Sequence, residues 1–257
     1  MISYQDVSKN FYKKGAPLQA LASAKFDVAS GEFVAVVGPS GCGKSTLLNM
    51  TAGLMKPTSG QVIYDGLPIQ SINHRVGYMT QKDNLLPWRT VRGNIGLALE
   101  LRAVRKTVRN AQVDDYIDKV GLTGFADHYP SELSGGMRKR VSLARTMIYQ
   151  PETLLMDEPF GALDAQLRLL LHDLLLQVWE ATGTTIVFVT HDLAEAIALA
   201  DRVVVLTGRP GQVKAIQEIP LPRPRDVFNV RFTPEFGQLF QSLWDVLGQD
   251  VKKGEDI

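Results

Sequence analysis

The stretch that decides the fold runs from Phe33 to Ser45 and reads Phe33-Val34-Ala35-Val36-Val37-Gly38-Pro39-Ser40-Gly41-Cys42-Gly43-Lys44-Ser45. Its first five residues are all apolar, which is typical of a strand buried on both faces of a parallel sheet. The next eight fit the pattern G-x-x-x-x-G-K-[ST], and residues 46–50 continue with a helical pattern. Strand, glycine-rich loop and helix in this order predict a loop whose backbone N–H groups surround phosphate oxygens.

The residue types in this loop predict a nucleotide as its ligand. Lys44 is expected to reach the β- and γ-phosphates, and the Ser45 hydroxyl to ligate Mg²⁺. Cys42 has no histidine beside it in the sequence and is expected to be a small filler, not a nucleophile. The alternative is a glycine-rich turn without a ligand, and the flanking strand and helix argue against it. The predicted phosphate-binding residues are Gly38, Pro39, Ser40, Gly41, Cys42, Gly43, Lys44, Ser45 and Thr46.

Two carboxylates follow a second apolar run, residues 154–156, at the expected carboxyl end of a strand. Open α/β sheets bind ligands at this edge, so Asp157 and Glu158 are predicted to face the phosphate loop. In a phosphate-loop protein the first carboxylate typically holds Mg²⁺, and the second is then placed to polarise an attacking water. Taken alone, the pair is equally compatible with a solvated strand end.

Two more polar residues follow strand-like segments and are expected at the same edge of the sheet. His191 comes directly after the segment 185–190, and Gln81 follows the segment 76–80. Beside a γ-phosphate, His191 is a candidate catalytic residue. A histidine or a glutamine after a strand is more often a surface or capping residue, and that interpretation stays open here.

A second helix start is predicted at Leu133-Ser134-Gly135-Gly136-Met137. Ser134 fits an N-cap, and the two glycines leave backbone N–H groups exposed at the start of the helix. The sequence therefore predicts a second anion-binding helix end, far along the chain from the phosphate loop. The plainer interpretation is a capped helix whose solvated face consists of Arg138, Lys139, Arg140 and Arg145.

Strand-like and helix-like segments alternate along the chain, which predicts an α/β architecture. Residues 93–150 differ, because apolar residues recur there at helical spacing without a strong strand. A proline-rich connector at 220–225 precedes apolar residues at steps of three and four, typical of an amphipathic helix. We predict a nucleotide-binding core from residues 1–87 and 151–220, a helical insert at 88–150, and a C-terminal connector and helix at 221–257.

Composition narrows the class of protein. The 257 residues are 45% apolar with a net charge of +1, which excludes a disordered chain and gives no bulk charge for binding nucleic acid. A single cysteine and an N-terminus without a signal-peptide pattern predict a reducing, cytoplasmic setting. No apolar run approaches the length of about 18 residues that a membrane span needs. If the protein acts at a membrane, another chain is expected to supply the membrane part.

In their order along the chain, these motifs resemble the nucleotide-binding subunit of an ABC transporter over essentially residues 1–208. Gly38–Ser45 is similar to the Walker A loop, and Leu154–Glu158 to Walker B with its catalytic glutamate. Leu133–Met137 is similar to the signature motif, in which Met137 stands where glutamine is usual. The resemblance implies an α/β phosphate-loop NTPase core (a parallel sheet with helices), an antiparallel β-subdomain and a helical subdomain.

The resemblance also implies roles for residues outside the phosphate loop. Gln81 matches the Q-loop, His191 the H-loop, and Ala162-Leu163-Asp164 the D-loop. Phe11, or alternatively Tyr12, falls where the family keeps an aromatic ring that stacks on adenine. The implied catalytic residues are Glu158, His191, Lys44 and Gln81. The implied Mg²⁺ ligands are Ser45, Gln81 and Asp157. The implied ATP-binding residues beyond the loop are Phe11, Ser134, Gly135, Gly136 and Asp164.

The family implies partners as well as ATP and Mg²⁺. Two cassettes pair head to tail, with each ATP between Walker A of one copy and the signature helix of the other. Transmembrane permease subunits and, indirectly, a periplasmic or lipoprotein solute-binding protein are implied, which places the chain at the cytoplasmic face of the inner membrane. A narrower resemblance is to importers of nitrate, taurine and aliphatic sulfonates, through residues 85–91, 133–138 and 219–225.

Other functions compete with import at this stage. An ABC ATPase of export or lipid trafficking is the first alternative. An ABC ATPase acting on DNA or ribosomes usually has two cassettes or a long coiled-coil insert, and the sequence has neither. A phosphate-loop kinase or GTPase lacks the signature helix, and the chain has no Asn-Lys-x-Asp pattern for guanine. A non-catalytic binding module is disfavoured because Glu158 and His191 are both present.

Overall fold

The structure is a computed structural model and describes residues 1–13, 16–161 and 163–254. Its strands are β1 (Ile2–Lys13), β2 (Ala16–Val28), β3 (Phe33–Val37), β4 (Ser59–Tyr64), β5 (Leu67–Pro68), β6 (Val76–Met79), β7 (Thr153–Asp157), β8 (Thr185–Val189), β9 (Arg202–Leu206) and β10 (Gly211–Glu218). Its helices are α1 (Lys44–Thr51), α2 (Val91–Ile95), α3 (Leu97–Leu101), α4 (Lys106–Lys119), α5 (Gly135–Met147), α6 (Ala165–Thr182), α7 (Leu193–Leu199) and α8 (Pro234–Gly254).

The strands form one sheet in the order β5-β4-β1-β2-β10-β9-β3-β8-β7-β6. Its parallel part runs from β9 through β3, β8 and β7 to β6. All five side chains of β3 and all five of β8 are buried, as their continuous apolar runs predict. The carboxyl ends of these strands share one edge, so the residues after β3, β6, β7 and β8 emerge together.

An antiparallel layer extends the other end of the sheet. β1 pairs with β2 and β4, and β10 pairs with β9, each antiparallel. The sequence predicted β1 only over residues 2–7 and did not predict β2 or β10. Their side chains alternate irregularly between buried and exposed, so the period-2 signal of a strand is weak. Pairing with long neighbours stabilises these strands in spite of that signal, and the α/β fold class with an antiparallel addition is confirmed.

Helices pack on both faces of the sheet and around a separate third core. α1 lies on one face, while α6, α7 and α8 contribute to the core on the other. Residues 80–152 are described throughout and contain helices but no strand. Their buried side chains form a core of their own, centred on Ile95, Val113 and Val141. In the described part of the chain, no helix has the length and apolar character needed to cross a membrane.

The proline-rich connector is fastened to the sheet by two arginines. Arg225 is buried and donates to carbonyl oxygens at the end of α7, including that of Ala200 at 2.6 Å. Burial lowers the pKa of Arg225 to about 10. Arg223 binds the Asp201 carboxylate at 2.8 Å. These bonds fix the start of the C-terminal segment against the core.

Candidate active site

A cavity of about 430 Å³ lies at the carboxyl edge of the parallel strands. It brings together residues from the phosphate loop, β1, β2, the segment after β6 and the end of β7. The lining residues are Phe11, Leu18, Ala20, Ser40, Gly41, Gly43, Lys44, Ser45, Thr46, Gln81, Asp157, Glu158 and Arg209. Most of the predicted nucleotide-binding and catalytic residues therefore line a single cavity.

The phosphate loop has a backbone shape that requires glycine. Gly41 and Gly43 have φ angles of 76° and 98°, in the left-handed region. α1 begins directly after Gly43, so its free N–H groups face the cavity with the positive end of the helix dipole. Lys44 is buried, and its ammonium donates to the carbonyl oxygens of Gly38 at 2.7 Å and Pro39 at 3.0 Å. These two residues do not line the cavity themselves.

Cys42 points away from the cavity. It is fully buried and belongs to the core between α1 and the sheet. Burial raises the pKa of its thiol, which keeps the sulfur protonated and unreactive. The side chain therefore packs as a small apolar group, and any contact with phosphate is left to its backbone.

Ser45 and Asp157 form a pair of oxygen donors suited to a hard divalent cation. The Ser45 hydroxyl donates to Asp157 Oδ1 at 3.0 Å across the cavity. Burial raises the pKa of Asp157, and the neighbouring Glu158 raises it further. Among the described residues, no group of three or more His, Cys, Asp or Glu is placed to hold a metal ion. A hydroxyl plus one carboxylate fits Mg²⁺, which usually takes few protein ligands and completes its shell with phosphate and water.

Glu158 and His191 meet at the same edge. His191 Nδ1 lies 3.2 Å from Glu158 Oε2. The backbone of Glu158 has φ 44°, a left-handed conformation that costs a non-glycine residue energy, and its N–H donates to the Val189 carbonyl at 2.9 Å. This conformation turns the carboxylate out of the sheet and into the cavity. Glu158 therefore lines the cavity, whereas the His191 side chain is 60% exposed beside it, and its catalytic role stays a prediction.

A buried network of hydrogen bonds fixes the residue that precedes His191. Thr190 donates to Glu195 Oε2 at 2.5 Å, and Glu195 Oε1 lies 2.8 Å from His172 Nε2. Burial raises the pKa of Glu195, but hydrogen bonds from His172 and Thr190 outweigh it and leave the pKa below its usual value. Glu195 is thus a buried anion that fixes Thr190, the residue directly before His191.

One end of the cavity is lined by apolar side chains. Phe11 lines it together with Leu18 and Ala20, whereas Tyr12 is 78% exposed and is not among the lining residues. This placement favours Phe11 over Tyr12 as the ring available to a base.

Gln81 lines the cavity and is held from below by α5. Buried Lys139 donates its ammonium to the Gln81 carbonyl. Arg138 forms an ion pair with Asp83 at 3.0 Å, and Arg145 donates to the Asp83 carbonyl at 2.9 Å. The interpretation of these cations as a solvated face is therefore wrong, because they satisfy the polar groups of the segment after β6. Arg140 donates to two carbonyl oxygens after α4 over the longer distances of 3.4 and 3.5 Å.

The signature-like residues lie outside this cavity. Ser134 caps α5 by accepting the Met137 N–H at 3.3 Å, and both Ser134 and Gly135 are exposed. Gly136 is buried, and a Cβ there would lie 2.0 Å from Leu167 Cδ2, so α6 packs on it closely. Within one chain, Ser134, Gly135 and Gly136 are therefore not joined to the phosphate loop.

Asp164 is also absent from the cavity lining. Its carboxylate caps α6 by accepting the Leu167 N–H at 3.0 Å, and the side chain is exposed. Ala162, the first residue of the D-loop match, lies outside the described residues. A role for Asp164 toward a nucleotide remains a prediction that requires a second chain.

Sequence reasoning missed Leu18, Ala20 and Arg209, which line the cavity. Leu18 and Ala20 belong to β2, which gave no strand signal. Arg209 sits in the turn between β9 and β10, in the run Thr207-Gly208-Arg209-Pro210-Gly211. The turn follows an apolar run and carries one basic residue between turn-forming residues. This pattern could have predicted that Arg209 lies at the edge of the sheet where ligands bind.

The fold and this cavity define an ATPase of the phosphate-loop class. The ABC transporter family model matches residues 21–161, which is more than half of the chain. The chain belongs to the ABC transporter family, as the ATP-binding subunit that hydrolyses ATP.

The comparisons with individual proteins agree with this family. The chain is 44% identical to an uncharacterized ABC transporter ATP-binding protein of Methanocaldococcus jannaschii over 98% of this chain and 93% of that protein. It is also 44% identical to the aliphatic sulfonates import ATP-binding protein SsuB of Bacillus anthracis, over 98% and 96% respectively. Its structure is similar to that of the dimeric ATP-binding cassette MJ0796 bound to ADP and Pi, with TM-score 0.78 and 31% identity over 86% of this chain and 100% of that one.

Proposed function

We propose that the chain powers import of a small anionic solute, of which an alkanesulfonate is the leading candidate and nitrate and taurine are related ones. The observation that carries the catalytic part is the convergence of Lys44, Ser45, Asp157 and Glu158 on one cavity, with His191 at 3.2 Å from Glu158. The name of the Bacillus relative supports the sulfonate and the direction of transport.

In this proposal each predicted site residue has its own task in hydrolysis. Helix α1 and Lys44 bind the β- and γ-phosphates, and Phe11 stacks on the adenine. Ser45, Asp157 and Gln81 hold Mg²⁺, which supplies charge neutralisation when bound. Glu158 accepts a proton from the water that attacks the γ-phosphorus, the β–γ bond breaks, and ADP and phosphate are formed. His191 orients the Glu158 carboxylate and the γ-phosphate.

The site is proposed to be completed by a second copy of the chain. Ser134 and Gly135 are exposed at the start of α5 and lie outside the cavity of their own chain. A helix end with exposed N–H groups binds anions, so we expect this end to contact the γ-phosphate of the ATP that is bound to the second copy. A head-to-tail homodimer supplies this arrangement, and the similar cassette MJ0796 has a dimeric structure. Asp164 and Gly136 then lie near the interface between the two copies.

A permease is proposed to dock on the segment from Asp83 to Val91. Trp88 is 70% exposed there, while Leu85 packs in part against the helical core. Asn94 fixes the Leu86 backbone with hydrogen bonds of 2.8 and 3.1 Å. An exposed tryptophan on a firmly held loop fits a docking surface. This partner would place the chain at the cytoplasmic face of the inner membrane, with a solute-binding protein acting on the other side.

The intact transporter in proteoliposomes tests the proposal. In the wild type, an alkanesulfonate presented with its binding protein is expected to stimulate phosphate release and to be taken up. Glu158→Gln should keep ATP binding and lose about 10²- to 10⁴-fold in hydrolysis, because the general base is removed while the phosphate contacts remain. Phosphate release by this variant near the wild-type rate would contradict the role of Glu158.

The same preparation separates import from its main alternative. Export or lipid trafficking would show as ATPase activity stimulated by a substrate on the cytoplasmic side, without dependence on any solute-binding protein. Stimulation by nitrate or taurine in place of the sulfonate would keep import and change only the solute.

A further inference from the structure

The turn between β9 and β10 packs backbone to backbone on the phosphate loop. A Cβ on Gly211 would lie 1.9 Å from the Cys42 carbonyl oxygen, and a Cβ on Gly38 would lie 2.9 Å from that of Leu206. No other residue type fits at the first of these positions without moving the backbone. Any side chain carried by this turn is therefore held in a fixed relation to the loop.

Arg209 is the side chain that the turn carries over the loop. Its Nε donates to the Gly41 carbonyl oxygen at 3.2 Å, and its Nη2 lies 2.6 Å from where a Cβ of Gly41 would stand. The guanidinium lines the same cavity as Lys44 and Asp157. Within the residues that the structure describes, Arg209 forms no ion pair with a carboxylate.

We propose that Arg209 binds phosphate oxygens of the nucleotide, as a cation supplied from outside the G-x-x-x-x-G-K-[ST] loop. One of its five N–H donors is used on Gly41, which leaves the planar fork available for two phosphate oxygens. The carboxylates of Asp157 and Glu158 oppose a triphosphate in this cavity, and a second cation beside Lys44 offsets them. The inference rests on the proposed nucleotide site and adds to it a residue that belongs to none of the recognised motifs.

Nucleotide binding by the full-length chain, measured by calorimetry with ATP, ADP and AMP, tests this role. Arg209→Ala is expected to weaken ATP and ADP binding by about five- to tenfold, the effect of losing a charge-assisted contact at an exposed site. AMP should lose less, because it offers fewer phosphate charges. The decrease in ATP affinity with added salt should become shallower, since one cation has gone. Arg209→Lys should recover part of the affinity by keeping the charge without the fork.

Two further variants make the result decisive. Arg105→Ala removes the same charge from an exposed position at the start of α4, and should bind all three nucleotides as the wild type does. Lys44→Ala should lose ATP binding if the proposed site is right. If Lys44→Ala loses binding and Arg209→Ala does not, the inference about Arg209 alone is wrong. If neither loses it, the proposed nucleotide site is wrong.

A purely structural role for Arg209 predicts a different result. If Arg209 only stabilised the phosphate loop, Arg209→Ala would lower the melting temperature and weaken the binding of AMP, ADP and ATP equally. The salt dependence of ATP affinity would then stay unchanged. That outcome would overturn the inference. Unchanged melting with a loss graded by phosphate number would support it.

Discussion

At the scale of single residues, the ionised carboxylate of Asp157 is expected to lower the stability of the folded chain at neutral pH. Its carboxylate is half-buried beside Glu158, and its partner in the cavity is the Ser45 hydroxyl. Because the pKa of Asp157 is raised in the folded chain, the folded state holds this proton more tightly than the unfolded state does. The free energy of unfolding therefore falls as the pH rises from the pKa of the carboxyl in the unfolded chain to its raised pKa in the folded chain. Above both pKa values it falls no further.

Replacing Asp157 should reveal this cost. In the nucleotide-free chain at neutral pH, Asp157→Asn is expected to raise the melting temperature by about 2–4 °C, corresponding to roughly 1 kcal/mol. The gain should shrink as pH falls toward about 4, where the wild-type carboxyl is itself protonated. Thermal unfolding across this pH range measures it, with Asp173→Asn as a control on the exposed face of α6. A gain that stays constant with pH would exclude ionisation of Asp157 as its cause.

Among single elements, α5 joins two functional segments. It starts at Ser134, and its side chains Lys139, Ser142 and Arg145 bind carbonyl oxygens of residues 81–84. Burial lowers the pKa of Lys139, and the nearby Asp83 opposes that shift. The segment after β6 is therefore hydrogen-bonded to α5 at several points.

Lys139→Met tests this connection, because methionine fills similar space without a donor. Loss of the bond to the Gln81 carbonyl should leave ATP affinity within about twofold and lower the hydrolysis rate by about tenfold, since Gln81 is no longer held at the cavity. Hydrogen exchange at residues 82–84 should become faster. Arg140→Met is the matched control, because Arg140 lies on the same helix and its bonds to Val120 and Gly121 are long, at 3.4 and 3.5 Å. Equal rates for both variants would show that α5 does not position Gln81.

For the whole molecule, the separation of Ser134 and Gly135 from the phosphate loop predicts that each active site takes residues from two chains. Two mixed dimers with the same two substitutions distinguish this from sites within one chain. In the first dimer, Glu158→Gln is in one copy and Gly135→Asp in the other. In the second, both substitutions are in one copy and the partner is wild type.

If the sites are shared, the first dimer has one intact site and the second has none. The first should then hydrolyse ATP at up to about half the wild-type rate, and the second at least tenfold more slowly than the first. Sites contained within single chains predict the reverse order, because the second dimer would keep a wild-type chain. Phosphate release by purified mixed dimers decides between the two.

The sequence by itself determined the parts of this protein that depend on local chemistry. The apolar run at 33–37, the glycines at 41 and 43 and the helix that follows fix a phosphate loop, because each residue type is required by its own backbone position. The edge of the sheet where Asp157, Glu158 and His191 meet also followed from sequence, since parallel strands end together. The confirmed family rests on these motifs.

Only the tertiary structure decided what depends on distant segments. β2 and β10 lack a strand period, so their pairing partners define them. The preference for Phe11 over Tyr12 depends on which side of β1 faces the cavity. Arg209 enters the site because two glycines allow its turn to lie against the loop, 168 residues from Gly41. Lys139 is buried because the segment after β6 needs donors for its carbonyl groups, a requirement that residues on α5 alone do not reveal.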